Sequence, residues 1–442
     1  MAILATAVWE CVSTGTSATN GGGFDTGIAG FGTDYSLQDA PIAIPTDLAM
    51  VAGTTTLTSA GQNPFTAAMV GNAIYLTGTN ITTDWYFITV FNNSGSVTLD
   101  RTAAPTSNAS GRTGRIGGAL KYPNPNLVPS LVAGNTVWMR YTAGAMTTAG
   151  GNNVSIDGTA ALPIRYLGYN TVRGDAPTGD NRPTVSHANS WYLTDYSNLE
   201  NVIWTGNYSS AALIIISITN TAGIVRNCKI TNTGSGATAV SITGTAAKIN
   251  YIDNCDITVP ASGKGVNNTA ILTNCYVHGS GTGIGVSVTA ASSTIKGNVI
   301  SGCATGVSMF TAGNVVMNST IYNCTTGIDC GTQKSNKYIG NLIDTCTTGI
   351  TKSTSNDPSN LSNYNVFSNN GTDVTNVTKG PNDVTGNASL NTTTFAVAAG
   401  SNVIGKGAPS SFPTLTTNFA VNSGVDQSDH VAGGSGEPAF VF

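Results

Sequence analysis

Between about residue 200 and residue 370, one short strand-like unit returns every 20 to 27 residues. Seven copies align on an aliphatic anchor: Ile230 in NCKI, Ile257 in NCDI, Val277 in NCYV, Ile300 in GNVI, Ile321 in NSTI, Ile343 in GNLI and Val366 in NYNV. Successive anchors stand 27, 20, 23, 21, 22 and 23 residues apart by subtraction. A repeat this short cannot bury an apolar face alone, so it must stack on its neighbours. Within the repeat a Val or Ile preceded by Gly recurs about seven residues past the anchor: Gly283-Ile284, Gly306-Val307, Gly327-Ile328 and Gly349-Ile350. Each rung therefore holds two short strands with a turn between them. No 3.6-residue period is present, and the leucine pattern of a leucine-rich repeat is missing. A rung of about 22 residues is the size of one three-strand coil of a parallel β-helix.

Composition agrees with that reading. Only 9% of the 442 residues are charged, against about 25% in an ordinary soluble domain. Thr, Ser, Asn and 53 glycines do the solvating and turning instead. A net charge of -4 and a pI near 5.3 leave no basic footprint for nucleic acid, and no Lys/Arg run addresses a membrane surface. The most apolar run, AALIIISI at 211–218, is too short to cross a bilayer and reads as a buried strand. MAILATAVWE has neither a positive n-region nor a long apolar stretch, so we expect a product made in a cytoplasm.

The cysteines fall on the repeat. Cys228, Cys255 and Cys275 precede their anchors by two residues, while Cys303, Cys324 and Cys346 follow theirs by three. Each trio should stack as a ladder of reduced, buried thiols, a small apolar filler. Adjacent rungs lie about 4.8 Å apart, within disulfide reach, so a bridge is disfavoured rather than forbidden. No CxxC or His–Cys spacing suggests zinc.

Residues 1–125 read as a separate small antiparallel β module. Four strand-like runs occur there: 54–59, 72–78, 85–91 and 96–101, the last two joined by a hairpin turn at Asn92-Asn93-Ser94-Gly95. Residues 102–134, rich in Gly, Pro, Ser and Asn, read as the junction. The β-helix is expected over 126–400, opening with AGNTVWMRYTAG (133–144), NNVSIDG (152–158) and PIRYLGY (163–169). Residues 401–442 are assigned to a cap that covers the open strand edges.

The stacked N-x-x-[IV] and G-[IV] units, with AGNTVWMR and DGTAALPIRYLGY (157–169), resemble the right-handed parallel β-helix of the pectate-lyase-like superfamily. The front end, TNGGGF then GTDYSLQDA and GGAL, resembles β-helix proteins encoded by tailed phages and environmental viruses. The resemblance implies an all-β fold: a right-handed parallel β-helix preceded by the antiparallel module. It leaves function open, because this fold hosts lyases, hydrolases, tailspikes and structural parts.

Chemistry is sparse. A glycosidase needs two carboxylates about 5–10 Å apart. The family's pectate lyases imply clustered Asp for calcium and an Arg base. Here Asp253 and Asp256 flank Cys255 and should face opposite ways, Asp329 and Asp344 do not share a rung position, and the last arginine is Arg226. The NTD, DD and GHG signatures of polygalacturonases are missing. No catalytic residue, metal or cofactor is expected. The best cluster is the position after each anchor: Thr231, Thr258, His278, Ser301, Tyr322, Asp344 and Phe367. If the anchors point inward these point outward, placing His278, Tyr322 and Asp344 on one exposed stripe that could contact carbohydrate. The plainer reading is a solvated or interface face. Arg173-Gly174-Asp175 and the run GSGTGIG (279–285) read as glycine turns, since the latter lacks the strand–helix context of a phosphate loop.

The sequence thus predicts a non-catalytic structural protein of a bacteriophage virion, a capsid decoration, head fibre or tail component. A homotrimer is expected, docked on other virion proteins through its N-terminal module, with host surface polysaccharide as a further contact. The alternative is a tailspike-type receptor-binding protein with polysaccharide lyase or hydrolase activity.

Overall fold

A computed structural model describes residues 4–127, 130–148, 156–209, 211–218, 223–244, 250–268, 271–353, 359–397 and 401. Among them the regular elements are strands and three-residue 3-10 turns, with no α-helix. The chain divides into two compact units, 1–188 with 194–203, and 189–193 with 204–442.

The second unit is a parallel β-solenoid with three strands per coil. One sheet runs Ile224–Arg226, Tyr251–Asp253, Ile271–Thr273, Thr294–Lys296, Val315–Met317, Lys337–Ile339 and Leu361–Asn363. A second runs Lys229–Asn232, Asp256–Thr258, Tyr276–His278, Val299–Ser301, Thr320–Tyr322, Leu342–Asp344, Val366–Ser368 and Val384–Gly386. The third begins with Trp191–Leu193 and Ala212–Ile218 and ends at Thr348–Thr351 and Thr372–Thr375. The apolar run 211–218 is thus a sheet strand, and Leu213, Ile214 and Ile216 are fully buried in it.

The anchor column is real and sits in the second sheet. Ile230, Ile257, Val277, Ile300, Ile321 and Ile343 are paired in register and fully buried. Burying each such side chain contributes about 1.5–3 kcal/mol. The seventh member differs from expectation: Val366 pairs with Leu342, and Phe367 takes the column beside Ile343. The reason is local. Two residues after Asn227, Asn254, Asn274, Gly297, Asn318 and Gly340 the chain enters the strand, and all six have positive φ, between 49° and 68°. Asn and Gly tolerate that left-handed turn best. In the seventh coil Tyr364 (φ 59°) makes the turn, which shifts the frame by one residue.

The residue after each turn points inward and serves as a ladder. It reads Cys275, Asn298, Ser319, Asn341 and Asn365. Cys275 N–H donates to Asn298 Oδ1 (2.9 Å), Asn298 N–H to Ser319 Oγ (3.2 Å), Ser319 N–H to Asn341 Oδ1 (3.0 Å), Asn341 N–H to Asn365 Oδ1 (3.0 Å) and Asn365 N–H to Asp383 Oδ1 (2.8 Å). A buried turn amide would otherwise lack a partner, which costs about 1–3 kcal/mol. All eight cysteines are free and buried, the two trios among them, and Cys255 N–H donates to Cys275 Sγ (3.4 Å).

Gly285, Gly306, Gly327 and Gly349 form a second column in the third sheet, each beside an inward Val or Ile. A Cβ on Gly306 would stand 2.6 Å from the Gly327 carbonyl oxygen and 2.9 Å from Ile321 Cγ2. Glycine is needed there because the turning backbone lies on the next coil and on the anchor column. Gly283-Ile284 is out of this register: Ile284 pairs with Thr305, and Gly285-Val286 occupies the column. The turn after His278 is longer, passing through Gly281 with φ 92° in the GSGTGIG run.

The first unit contains a closed antiparallel barrel in the order Ile42–Met50, Thr56–Ser59, Ser96–Leu99, Asp84–Asn93, Ala73–Thr77 and Ala109–Ile116. The expected hairpin between 85–91 and 96–101 forms, but its first strand runs on through Asn92 and Asn93, which leaves Ser94-Gly95 as the turn. Two barrel strands differ from expectation. Ala109–Ile116 falls inside the supposed junction, because its gaps between Ala109, Gly114 and Ile116 hide the strand alternation. Ile42–Met50 is disguised by Pro45 and a bulge at Thr46 (φ 45°). The boundary near 125 also moves. Ala7–Val12 pairs parallel with Thr136–Arg140, which pairs with Ile164–Tyr169, so the barrel is an insertion between strands of one sheet. All of the expected cap, 401–442, but its first residue, and most of NNVSIDG, lie outside the described residues.

Candidate functional site

The outer face of the second sheet gathers the most chemistry in the solenoid. With Val277 pointing inward, its neighbours Tyr276 and His278 both project outward from one three-residue strand. Their rings stack at 4.5 Å with 20° between planes. On the preceding coil Asp256 pairs with Tyr276 in register and Thr258 pairs with His278. His278 Nε2 lies 2.9 Å from Asp256 Oδ1 and 3.5 Å from Thr258 Oγ1. Thr231 Oγ1 continues the track, 3.4 Å from Thr258 Oγ1. Tyr276, His278, Asp256 and both threonines are all half-buried.

This constellation does not make a nucleophile. A triad needs the carboxylate on one imidazole nitrogen and the hydroxyl on the other. Here both meet Nε2. A carboxylate only accepts, so Nε2 carries the proton and donates it to Asp256. Thr258 is then left without a base. Asp253 belongs to a different sheet, where it accepts from Thr273 Oγ1 (2.7 Å) and Asn274 Nδ2 (3.1 Å) and pairs with Arg226 (3.5 Å). Among the described residues no group of three or more His, Cys, Asp or Glu side chains is placed to hold a metal ion.

The sequence stripe survives only in part as an exposed feature. Thr231, Thr258, His278, Ser301, Tyr322 and Asp344 share a column, continued by Ser368 rather than Phe367. Asp344, however, is only 2% exposed, and its Oδ1 accepts from Thr345 Oγ1 (3.0 Å) and Asn369 Nδ2 (3.1 Å). Tyr322 is half-buried, with the Phe395 ring 5.7 Å away and edge-on. Phe395 also approaches Tyr276 at 5.6 Å and packs on Val299. Sequence reasoning found His278, Tyr322 and Asp344, weighed Asp256 only as a partner for Asp253, and missed Tyr276 and Phe395. The only signal for the last was Leu390, Phe395 and Val397 in a threonine-rich run.

In the first unit a charged cluster gathers around Glu10. Glu10 is fully buried, and Arg173 Nε donates to its Oε2 (2.8 Å). Tyr169 Oη donates to Oε1. Arg173 also reaches Asp34 (2.8 Å) and Ser36 (2.9 Å). Burial pushes the Glu10 carboxyl up to about 7, outweighing the opposing pull of Arg173 and Tyr169. Arg173-Gly174-Asp175 is a structural loop in this setting, since Asp175 accepts from the amides of Asn170, Thr171 and Val172.

Residues 215–389 match the family described as "Right handed beta helix region". Among solved structures, a pectate lyase, Pel9A, aligns at 13% identity and a TM-score of 0.50, covering 70% of this chain and 90% of that one. A PL6 family alginate lyase aligns at 10% identity and a TM-score of 0.39, covering 72% and 58%. A lacto-N-biosidase from Eubacterium ramulus aligns at 12% identity and a TM-score of 0.37, covering 59% and 62%. No curated protein matches the sequence. At such identities the pectate lyase likeness establishes the shared β-helix fold, as the coil topology does independently.

Proposed function

We propose that this chain is a non-catalytic β-helix protein that contacts polysaccharide on the outer face of its second sheet. The observation that carries the reading is the Tyr276–His278 stack with Asp256 beneath it: an aromatic surface edged by a fixed donor–acceptor pair. Sugar rings present C–H faces to aromatic rings and hydroxyls to such polar edges. The shared use of His278 Nε2 argues against a triad, and Asp253 and Asp256 serve different sheets. The pectate-lyase-like fold suits an elongated ligand laid across successive coils.

The setting we propose is a bacteriophage virion, with the chain as a homotrimeric decoration, head-fibre or tail component docked through the barrel-bearing N-terminal part. This rests on the viral-type front end, TNGGGF and GTDYSLQDA, and on the stiffness of a hydrogen-bonded solenoid. Mass spectrometry of purified particles should find the chain at stoichiometric copy number. Its absence from particles would remove the virion setting and leave the glycan face standing.

The binding test is affinity electrophoresis in gels containing alginate, polygalacturonate or lipopolysaccharide O-polysaccharide, with product analysis alongside. Retardation by at least one polymer, lost in His278→Ala and Tyr276→Ala without fragment release, is expected. Release of unsaturated or reducing-end oligosaccharides would replace this reading with a tailspike-type lyase or hydrolase.

A further inference from the structure

After the strand Val384–Gly386, the chain turns back over the outer face of the second sheet. Ala388 N–H is tied to Ser368 Oγ (2.9 Å), and a small hook follows. Leu390 bridges Val397, Asn391 N–H donates to the Ala396 carbonyl (2.9 Å), and Phe395 N–H to the Asn391 carbonyl (2.7 Å). Asn391 Oδ1 accepts from the amides of Thr393 and Thr394, each at 2.9 Å. Among the described residues the hydrogen bonds of 389–397 are thus made within the hook and its stem. What joins the hook to the sheet is apolar. Leu390 packs on both buried patches of the face, and the Phe395 ring, 6% exposed, enters between Tyr276 and Tyr322 over Val299.

Two features make this contact separable from the fold. The hook keeps its own backbone bonds if it lifts away, so only side-chain contacts are lost. Phe395 is held at φ 55°, a conformation that a non-glycine residue keeps only where its surroundings impose it. The slot it fills lies between the Tyr276 and Tyr322 rings, whose centroids stand 5.6 and 5.7 Å from that of Phe395. Those are dimensions for one flat ring of six atoms.

Resting on the reading of this face as a polysaccharide contact, we propose that the Tyr276–Val299–Tyr322 slot is a sugar-ring subsite and that Phe395 is its built-in occupant. A hexose in a polysaccharide chain competes with the hook for the slot. Glycan bound at the Tyr276–His278 shelf extends toward Tyr322 only as the hook leaves.

The test uses the full chain and Phe395→Ala, with Leu390→Ala as a second hook-loosening variant. Nitration of Tyr276 and Tyr322, read by peptide mass spectrometry, should accelerate about tenfold in Phe395→Ala. Retardation in the alginate, polygalacturonate or O-polysaccharide gel that holds the wild type should strengthen by a similar factor. Adding Tyr322→Ala should cancel that gain. Faster nitration with glycan affinity unchanged or weakened overturns the competition while the glycan reading stands. Unchanged nitration in both hook variants overturns the cover itself. Accelerated nitration with no retardation of any form by any of these polymers would instead defeat the glycan reading, and the subsite with it.

Discussion

Substituting Gly306 with alanine tests whether the glycine column is required by the stacking of coils. The new Cβ would stand 2.6 Å from the Gly327 carbonyl oxygen, whereas an ordinary contact begins at 3.4 Å, so two coils must part by about 0.8 Å. The bonds that span this pair of coils beside Gly306, Thr326 N–H to Ala304 O (2.8 Å) and Thr325 N–H to Cys303 O (3.2 Å), are carried past useful length by opening of that amount. One or two bonds at about 1 kcal/mol each, with overpacking of about 1–3 kcal/mol against Ile321, give about 3 kcal/mol. For a unit of this size that lowers Tm by roughly 6–12 °C. Gly281→Ala is the control, because nothing lies within 4 Å of its Cβ position and only its φ of 92° opposes a side chain. Its cost should be about 1–2 kcal/mol. Urea unfolding followed by circular dichroism ranks the two. If Gly306→Ala costs no more than Gly281→Ala, the argument that coil contact demands glycine fails.

Three further outcomes follow from buried groups. Glu10 titrates near 7 in the folded chain against about 4.5 in the unfolded one, so the folded form binds more protons between those values. Its contribution should be greatest below pH 4.5, decline as pH rises to 7 and change little above, a span of about 3 kcal/mol. Denaturation of Glu10→Gln should lack that slope; an identical profile in the variant would refute the assignment. All eight thiols should resist a disulfide reagent in the native chain and react together in denaturant, since burial pushes Cys330 up to about 12 and neighbouring thiols with burial push Cys324 there too. Rapid native labelling of any of them would contradict the packed ladders. Ile321→Ala, fully buried beneath the Gly306 column, should cost about 2–5 kcal/mol, whereas Thr231→Ala on the half-buried outer track should cost under 1, both read from urea midpoints.

The coils were legible because their determinants are local. A left-handed Asn or Gly, a polar or thiol ladder residue and a buried aliphatic recur at fixed offsets, and periodicity alone exposes them. The register slip at Val366 arose where Tyr364 took a turn that Asn or Gly makes elsewhere, a substitution that pattern matching cannot weigh. The barrel strand Ala109–Ile116 stayed hidden because its inward face is built partly from Gly114, against which Leu48, Ile74 and Leu76 pack. At the candidate site, outward direction could be read for His278 and Tyr322, but exposure could not. Whether Asp344 meets water depends on Asn369, and whether Tyr322 does depends on Phe395, more than seventy residues further along the chain.

The amide ladder has a direction. Every turn from Cys275 to Asn365 is completed by a side chain supplied one coil later in the sequence, and the last is completed by Asp383. A growing polypeptide therefore always carries one unfinished turn at its leading edge, sealed only when the following coil emerges. Cutting the chain from its far end reopens a single turn at the new terminus and leaves those upstream sealed, so shortened forms should unravel inward from that edge rather than collapse at once.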